Sequence, residues 1–200
     1  KTRLLAPLML VRALFASLAV LRKVKPRCVL SMGGYVAGPA GVAAKLAGIP
    51  LVVHEQNAVA GFTNRKLASF ARLVLTGFPN VLPKGEWVGN PVRARIAAMP
   101  APAQRLAGHA GRPRLLVLGG SLGARTLNTV LPKALARMEA MGATVPEVVH
   151  QTGERNLQDT LDGYHAAGTA ASIVAFIEDM AGAYEWADLV LCRAGALTVA

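Results

Sequence analysis

Leu115-Leu116-Val117-Leu118-Gly119-Gly120-Ser121-Leu122-Gly123-Ala124 is the stretch of sequence that decides the fold. Its four apolar residues predict a buried strand, and the run from Ala124 to Met141 predicts a helix. A glycine turn between a strand and a helix N-terminus can cradle a phosphate, because free N–H groups and the positive end of the helix dipole face the anion. No Lys follows the last glycine, as a P-loop requires, and the Gly-Gly-x-x-Gly spacing is not a dinucleotide fingerprint. The turn by itself is equally compatible with an ordinary tight turn of an α/β protein.

Composition and charge point to two domains with different surroundings. The chain has 200 residues, of which 53% are hydrophobic, and a net charge of +11. Residues 1–112 hold 16 Lys and Arg against 2 acidic residues, whereas residues 113–200 hold 6 against 9. The basic half favours an anionic partner. Because aromatic residues make up only 5% and do not interleave with basic ones, a membrane surface is favoured over nucleic acid.

Strand and helix patterns alternate along the whole chain, which predicts parallel sheets. The proline-rich segment 77–113 is predicted to be irregular and contains the domain boundary, which we place between residues 1–93 and 94–200. Ligands of parallel sheets bind beyond the carboxyl ends of the strands. The polar run His54-Glu55-Gln56-Asn57 follows one such strand and is therefore a candidate site.

The first 27 residues carry seven Lys and Arg and no acidic residue, beside a long apolar run. We expect a helix over residues 7–24 that is either a core helix or a patch that enters a membrane surface. Cys28 and Cys192 lie far apart in apolar runs, which favours buried, reduced thiols over a disulfide. The four histidines have no metal-ligand spacing, so no metal site is predicted.

Six motifs in one order resemble the MurG family of glycosyltransferases. They are Met32-Gly-Gly-Tyr-Val-Ala-Gly-Pro39, His54-Glu-Gln-Asn57, Gly89-Asn-Pro-Val-Arg93, Gly119-Gly-Ser-Leu-Gly-Ala-Arg125, Phe176-Ile-Glu-Asp-Met180 and Cys192-Arg-Ala-Gly-Ala-Leu-Thr-Val-Ala200. The resemblance implies an α/β fold of GT-B type, with two Rossmann-like domains whose parallel sheets face a cleft. It also implies transfer of GlcNAc, with inversion, from UDP-GlcNAc to undecaprenyl-pyrophosphoryl-MurNAc-pentapeptide (lipid I) to form lipid II.

This chain departs from the pattern of the family at two places. The family's first glycine-rich loop, which ends in a His, is absent, and so are the Glu and Gln residues that follow the final motif. We therefore expect both domains to be incomplete and this chain alone to be inactive. Two other hypotheses remain open: a UDP-GlcNAc 2-epimerase of the same fold, and a non-enzymatic basic binding module.

The resemblance implies the following site residues. Donor-binding residues are Asn57, Arg93, Ser121, Ile177, Ala196, Leu197, Thr198, Val199 and Ala200, and acceptor-binding residues are Gly33, Gly34 and Tyr35. The general base is unknown, with His54 and Glu55 as candidates. No cofactor and no metal are expected. The expected partners are UDP-GlcNAc, the lipid-linked MurNAc-pentapeptide and the anionic inner-membrane surface, but not nucleic acid. The expected location is peripheral, at the cytoplasmic face of the bacterial cell membrane.

Overall fold

The structure is a computed structural model that describes residues 2–120, 123–196 and 198, with side chains described from residue 7 onward. These residues form two compact units that divide between Pro91 and Val92. Each unit contains a four-stranded sheet in which all neighbouring strands are parallel. The parallel sheets predicted from the alternating sequence pattern are therefore confirmed.

The first unit arranges its strands in chain order, β1-β2-β3-β4. Its core lies where β2 meets the third helix, and there Leu51, Val53 and Leu67 are almost fully buried. The second helix ends at Leu46, and Gly48, just beyond its C-cap, adopts a left-handed φ of 69° and donates its N–H to the Lys45 carbonyl. The elements are α1 (Thr2–Val24), β1 (Val29–Ser31), α2 (Ala37–Leu46), β2 (Leu51–Glu55), α3 (Phe62–Ala68), β3 (Leu73–Thr76) and β4 (Glu86–Trp87).

The second unit arranges its strands in the order β7-β6-β5-β8. The chain runs from β5 outward to β7 and then returns to the other side of β5, so the turn after β5 lies where the strand order reverses. Ligands of doubly wound sheets bind at such a reversal. The elements are α4 (Ala94–Ala97), α5 (Pro102–Arg105), β5 (Arg114–Leu118), α6 (Arg125–Ala140), β6 (Glu147–Gln151), a 3-10 turn (Glu154–Asn156), α7 (Leu157–Ala167), β7 (Ser172–Val174), α8 (Met180–Trp186) and β8 (Leu189–Cys192).

Alternate residues of β5 point to two cores, one on each face of the sheet. Val117 is buried with Leu131 and Leu135 of α6. Leu116 and Leu118 are buried on the opposite face with Ala187, next to α8. Burial on both faces explains why this strand reads as an unbroken apolar run.

Two sequence predictions are wrong in detail. Segment 77–113 was predicted to be irregular, but it contains β4, α4 and α5. These elements have two to four residues, too few for a periodic signal, and Pro102 begins α5 at a position where a missing N–H costs nothing. Cys28 is exposed rather than buried, because it precedes β1 instead of lying within it.

No helix within residues 2–120, 123–196 and 198 is long and apolar enough to cross a membrane.

Candidate functional site

A cavity of about 480 Å³ opens at the carboxyl end of β5 in the second unit. Two exposed arginines, Arg93 and Arg193, line it, and no Asp or Glu is among its described lining residues. Positive charge beside the backbone of a glycine turn suits an anionic phosphate. The full lining is Arg93, Leu118, Gly119, Gly120, Gln151, Phe176, Ile177, Met180, Tyr184, Cys192, Arg193, Ala194, Gly195 and Thr198.

The glycine turn owes its shape to close backbone contacts. A Cβ at Gly119 would lie 2.9 Å from both the Ala124 nitrogen and the Gln151 carbonyl oxygen. The Gly119 N–H donates to that same carbonyl over 2.9 Å. Gly120 and Gly123 adopt φ values of 76° and 73°, which L-residues with a side chain rarely enter. The geometry therefore requires glycine at these three positions of the predicted turn.

Two polar side chains hold this turn, and neither was singled out as a site residue from the sequence. Gln151 accepts the Gly120 N–H on Oε1 at 3.1 Å and donates from Nε2 to the Gly120 carbonyl at 3.3 Å. An Arg193 guanidinium nitrogen donates to the Gly119 carbonyl at 3.4 Å. Only their position in the chain could have indicated these two residues. Gln151 ends β6 and Arg193 follows β8, and these two strands flank β5.

A buried polar cluster joins β6 to α6 and α7 beneath the turn. His150 is completely buried, and its two ring nitrogens lie 3.0 Å from the Tyr164 hydroxyl and 3.1 Å from Asn128 Oδ1. Because the Asn128 amide donates to the Thr152 carbonyl at 3.1 Å, its oxygen is left to accept from His150 Nε2–H. Burial lowers the pKa of His150 to about 4 and raises the pKa of Tyr164 above its usual value. His150 is therefore a neutral structural residue at pH 7.

Only some of the predicted donor-binding residues line this cavity. Arg93, Ile177 and Thr198 line the cavity. Ala196 is half-buried beside Gly195 but is not among the lining residues. Four predicted residues lie outside the described part of the chain, namely Ser121, Leu197, Val199 and Ala200. Asn57 belongs to the first unit.

A second cavity, of about 280 Å³, lies at the carboxyl ends of β1 and β2 in the first unit. Its lining brings the predicted Gly33, Gly34 and Tyr35 together with Glu55 and Asn57. Gly33 and Gly34 adopt φ values of 86° and 84°. Tyr35 is 98% exposed, so its side chain is open to a ligand.

The Glu55 carboxylate is buried and surrounded by hydrogen-bond donors. Its Oε1 accepts from the Asn57 N–H at 3.0 Å and from Asn57 Nδ2 at 2.9 Å. Its Oε2 accepts from the Gly61 N–H at 3.1 Å and from Asn64 Nδ2 at 3.0 Å. Burial alone would raise the pKa of Glu55, but these hydrogen bonds outweigh it and hold the pKa below its usual value. A carboxylate so fully satisfied is a structural anchor for the loop that carries Asn57.

His54 is tied to the loop that precedes the second unit. Its Nε2 lies 3.1 Å from the Gly89 carbonyl, and the Gln56 amide lies 3.3 Å from its Nδ1. Asn90 donates from Nδ2 to the Gln56 carbonyl at 3.0 Å. These contacts bring two of the six sequence motifs together within the first unit. They also occupy both nitrogens of His54, which favours a structural role for the ring.

The exposed face of α1 is apolar and basic. The side chains of Leu8, Val11 and Phe15 are 66%, 50% and 66% exposed. Arg12, Arg22 and Lys23 are also exposed on this helix. An exposed apolar patch of this kind marks an interaction surface.

Among the residues that the structure describes, no three His, Cys, Asp or Glu side chains are grouped so that they could hold a metal ion.

Two domain families match the two halves of the chain. The Glycosyltransferase family 28 N-terminal domain matches residues 1–76, and the Glycosyltransferase family 28 C-terminal domain matches residues 114–200. The chain belongs to glycosyltransferase family 28, and its two parallel-sheet units have the Rossmann-like, GT-B type of fold predicted from the motifs.

The curated relatives of this chain carry the name of one particular transferase. The chain is 54% identical over 99% of its length to a UDP-N-acetylglucosamine--N-acetylmuramyl-(pentapeptide) pyrophosphoryl-undecaprenol N-acetylglucosamine transferase of Dechloromonas aromatica, and covers 56% of that protein. It is 58% identical over 98% of its length to the transferase of the same name from Alkalilimnicola ehrlichii, and covers 55% of it. The chain thus spans about half the length of the curated relatives it matches.

Solved structures agree with these relatives. The crystal structure of Acinetobacter baumannii MurG matches with a TM-score of 0.78 and 40% identity, covering 97% of this chain and 54% of that one. The resemblance to MurG read from the six motifs is confirmed. A UDP-GlcNAc 2-epimerase from Neisseria meningitidis matches with a TM-score of 0.61 at 14% identity, over 94% of this chain and 59% of that one, and shows the shared fold alone.

Proposed function

We propose that the protein containing this chain is an inverting glycosyltransferase that moves GlcNAc from UDP-GlcNAc to undecaprenyl-pyrophosphoryl-MurNAc-pentapeptide, forming lipid II for the bacterial cell wall. The observation that carries the proposal is the cavity of the second unit. Arg93, the Gly119–Gly120 turn, Ile177 and Gly195 are distant in sequence but line this one cavity.

The second-unit cavity binds the nucleotide donor in this proposal. Arg93 and Arg193 supply positive charge to the diphosphate. The resemblance to the MurG family assigns Ser121 to the same group. Ile177 offers backbone groups to the uracil. In an inverting transfer the acceptor hydroxyl attacks the anomeric carbon as the bond to UDP breaks, so negative charge grows on the leaving diphosphate. Cations and N–H dipoles fixed in the cavity stabilise that charge as it develops.

The first-unit cavity binds the acceptor. The Gly33–Gly34 turn approaches the acceptor pyrophosphate, with Tyr35 beside it, and Asn57 reaches the transferred sugar. The Glu55 carboxylate already accepts four hydrogen bonds, so it has no lone pair positioned to take a proton from the acceptor. We therefore assign Glu55 and His54 to positioning of the loop and leave the general base unassigned.

The decisive experiment measures transfer of radiolabelled GlcNAc from UDP-GlcNAc to a lipid I analogue by the complete gene product. We expect acceptor-dependent release of UDP and labelled lipid. A 2-epimerase would instead interconvert the donor sugar without any acceptor, so a reaction without lipid I separates the two enzymes. A non-enzymatic module would do neither.

The donor role of Arg93 has a matched control in the same segment. Arg93 lines the donor cavity, whereas Arg95 is ion-paired with Asp179 at 3.2 Å and lines a different cavity. Arg93→Ala should raise the donor KM by about 5- to 150-fold, equivalent to roughly 1–3 kcal/mol of lost charge-assisted bonding. Arg95→Ala should leave it unchanged, and Ser121→Ala should behave like Arg93→Ala. Equal donor kinetics in Arg93→Ala and Arg95→Ala would exclude Arg93 from the donor site.

The first unit also docks on the anionic surface of the inner membrane, at its cytoplasmic face, in this proposal. The support is the exposed apolar and basic face of α1, together with the charge of residues 1–91, where 12 basic residues stand against 2 acidic ones. Each basic residue near an anionic surface contributes about 1 kcal/mol. A few such charges and inserted apolar side chains give reversible attachment without a spanning helix.

Vesicle co-sedimentation tests this docking with the complete gene product. Replacing Leu8, Val11 and Phe15 by Ser, and Arg22 and Lys23 by Glu, should release the protein from vesicles that contain anionic lipid. Val130→Ser is the matched control, because this valine is 55% exposed on α6 of the second unit. Binding that is equally strong on neutral vesicles, or that survives the α1 changes, would contradict the proposal.

A further inference from the structure

An apolar groove of about 510 Å³ runs between α1, α2 and α3 in the first unit. It shares no described lining residue with the donor cavity, and its lining residues belong to the basic half of the chain. The groove is lined by Leu10, Val11, Leu14, Tyr35, Gly38, Pro39, Val42, Phe62, Thr63, Lys66, Leu67 and Phe70.

The lining is suited to a hydrocarbon with an anion at one end. Thr63, Lys66 and the Tyr35 hydroxyl are the polar groups of the lining, and no carboxylate is among its described residues. The Lys66 ammonium lies 5.7 Å from the centre of the Phe62 ring, so positive charge stands at the wall of the groove. Phe62 is 70% exposed and Leu10 is 59% exposed, which leaves a large apolar area in water.

The groove is continuous with the cavity of the Gly33–Gly34 turn. Tyr35, Phe62 and Thr63 line both spaces. A ligand whose pyrophosphate lay at the Gly33–Gly34 turn could therefore pass its attached chain over Tyr35 and Phe62 directly into the groove. The cavity at the turn carries the polar side chains Glu55, Gln56, Asn57 and Asn64, whereas the groove is lined mainly by apolar side chains, as the two parts of an amphipathic ligand require.

We propose that this groove binds the isoprene units of the acceptor lipid next to its pyrophosphate. The inference rests on the proposed function, because that function supplies a polyprenyl pyrophosphate as acceptor. The groove takes the first part of the chain out of the bilayer and seats it against α2 and α3, with Val11 of α1 at its rim. Leu8 and Phe15, which do not line the groove, contact the membrane itself. Burial of each methylene is favourable, so a seated chain lowers the acceptor KM without any effect on the donor.

The test compares two lipid I analogues in detergent solution with the complete gene product, one with a long polyprenyl chain and one with a methyl group in its place. Val42→Glu places a carboxylate inside the groove at a side chain that is 39% exposed, so the new charge keeps contact with water. Val20→Glu is the matched control, since Val20 is 58% exposed on α1 and does not line the groove. Val42→Phe is a second variant that fills the groove without adding charge.

We expect Val42→Glu and Val42→Phe to raise the KM for the long-chain acceptor by about tenfold, with the KM for the methyl acceptor and for UDP-GlcNAc unchanged. Val20→Glu should leave all three unchanged. An equal effect on both acceptors, or no effect on either, would overturn the groove assignment. Loss of binding to anionic vesicles by Val42→Phe would overturn it as well, because the residue would then act in membrane docking. If the unaltered protein transferred GlcNAc to neither acceptor, the proposed function itself would fail.

Discussion

The two glycine turns, one in each unit, have the same plan and different electrostatics. Each follows a strand whose neighbour ends beside it, and each has an amide side chain next to it. Gln151 makes two hydrogen bonds to Gly120. Asn64 acts on the first turn indirectly, through Ser31, whose hydroxyl donates to Asn64 Oδ1 at 3.2 Å and accepts the Gly33 N–H at 3.4 Å. The polar residue behind the first turn is the charged Glu55, whereas behind the second it is the neutral His150.

The two turns differ in how they accommodate a pyrophosphate, the group that both proposed ligands carry. In the first unit, four donors satisfy the Glu55 carboxylate and so fix the loop that carries Asn57. In the second unit, the groups behind the turn are neutral and the cations Arg93 and Arg193 line the cavity in front of it. A carboxylate without hydrogen-bond partners would oppose an anion at either turn. The charge of Glu55 is therefore offset by its donors, whereas the neutral groups described behind the second turn need no such offset.

The largest effect should come from closing the space at Gly119. Gly119→Ala puts a Cβ 2.9 Å from two backbone atoms that cannot move without distorting the turn. We expect a loss of about 3 kcal/mol in stability or donor binding. Isothermal titration with UDP and denaturant unfolding of the complete gene product measure both quantities.

Substitutions at two further glycines distinguish a steric clash of the new Cβ from backbone strain. Gly108→Ala is the control for Gly119→Ala, because its Cβ meets nothing within 4 Å. Gly34→Ala also meets nothing within 4 Å but has a φ of 84°, so it should cost only about 1 kcal/mol, from strain. If Gly119→Ala were as mild as Gly108→Ala, the second turn would not depend on close backbone contact.

The second effect is a loss of stability in weak acid that only the second unit should show. The pKa of His150 is about 4 in the folded protein and near 6.5 when unfolded. The unfolded state therefore binds the proton first as the pH falls. The stabilising contribution is complete above pH 6.5 and is lost progressively down to pH 4, by up to about 3 kcal/mol. Glu55 acts in a lower range, because its contribution is lost only as the pH falls below the usual value of 4.5 for a Glu.

Hydrogen exchange of the complete gene product at pH 7 and pH 5 resolves the two units. Protection in peptides from residues 147–167 should fall at pH 5, whereas protection in residues 51–64 should not. His150→Gln should remove the dependence, and His165→Gln, at an exposed position on α7, should keep it. A fall of equal size in both regions would show that the titrating group lies elsewhere.

The strands and helices of this molecule could be predicted from the sequence better than the side-chain contacts of its candidate sites. The strand predicted over residues 115–118 and the helix predicted over 124–141 are found at Arg114–Leu118 and Arg125–Ala140, because an apolar run before a glycine turn gives a strong local signal. The roles of Gln151 and Arg193 could not be read in this way. Each reaches the turn only because β6 and β8 lie on either side of β5, and strand order is not a local property.

The candidates for a general base show the same limit. His54 and Glu55 were singled out because they are polar residues at the end of a strand, where ligands bind. A sequence cannot count the donors around a carboxylate, and here the count decides the role. Asn64, which supplies one of the donors to Glu55, lies nine residues further along the chain, on α3.

The smallest of the three effects should come from Glu55→Gln, and it tests whether Glu55 anchors the first turn. Both carboxylate oxygens accept two hydrogen bonds each, so an amide in either orientation turns its NH₂ group toward two donors. Leaving those donors unpaired should cost about 1–3 kcal/mol of stability. Glu86→Gln is the control, because Glu86 is an exposed glutamate of the same unit.

The kinetics of Glu55→Gln separate an anchor from a base. An anchor that holds the Asn57 loop should, when weakened, raise KM more than it lowers kcat, and lower temperature should restore part of the activity. A general base should lose turnover by a factor of about 10² or more with its stability intact. Transfer assays and denaturant unfolding on the same preparation distinguish these outcomes. Loss of turnover without loss of stability would identify Glu55 as the general base. The first turn would then carry a reactive group, and Glu55 would no longer be a structural anchor.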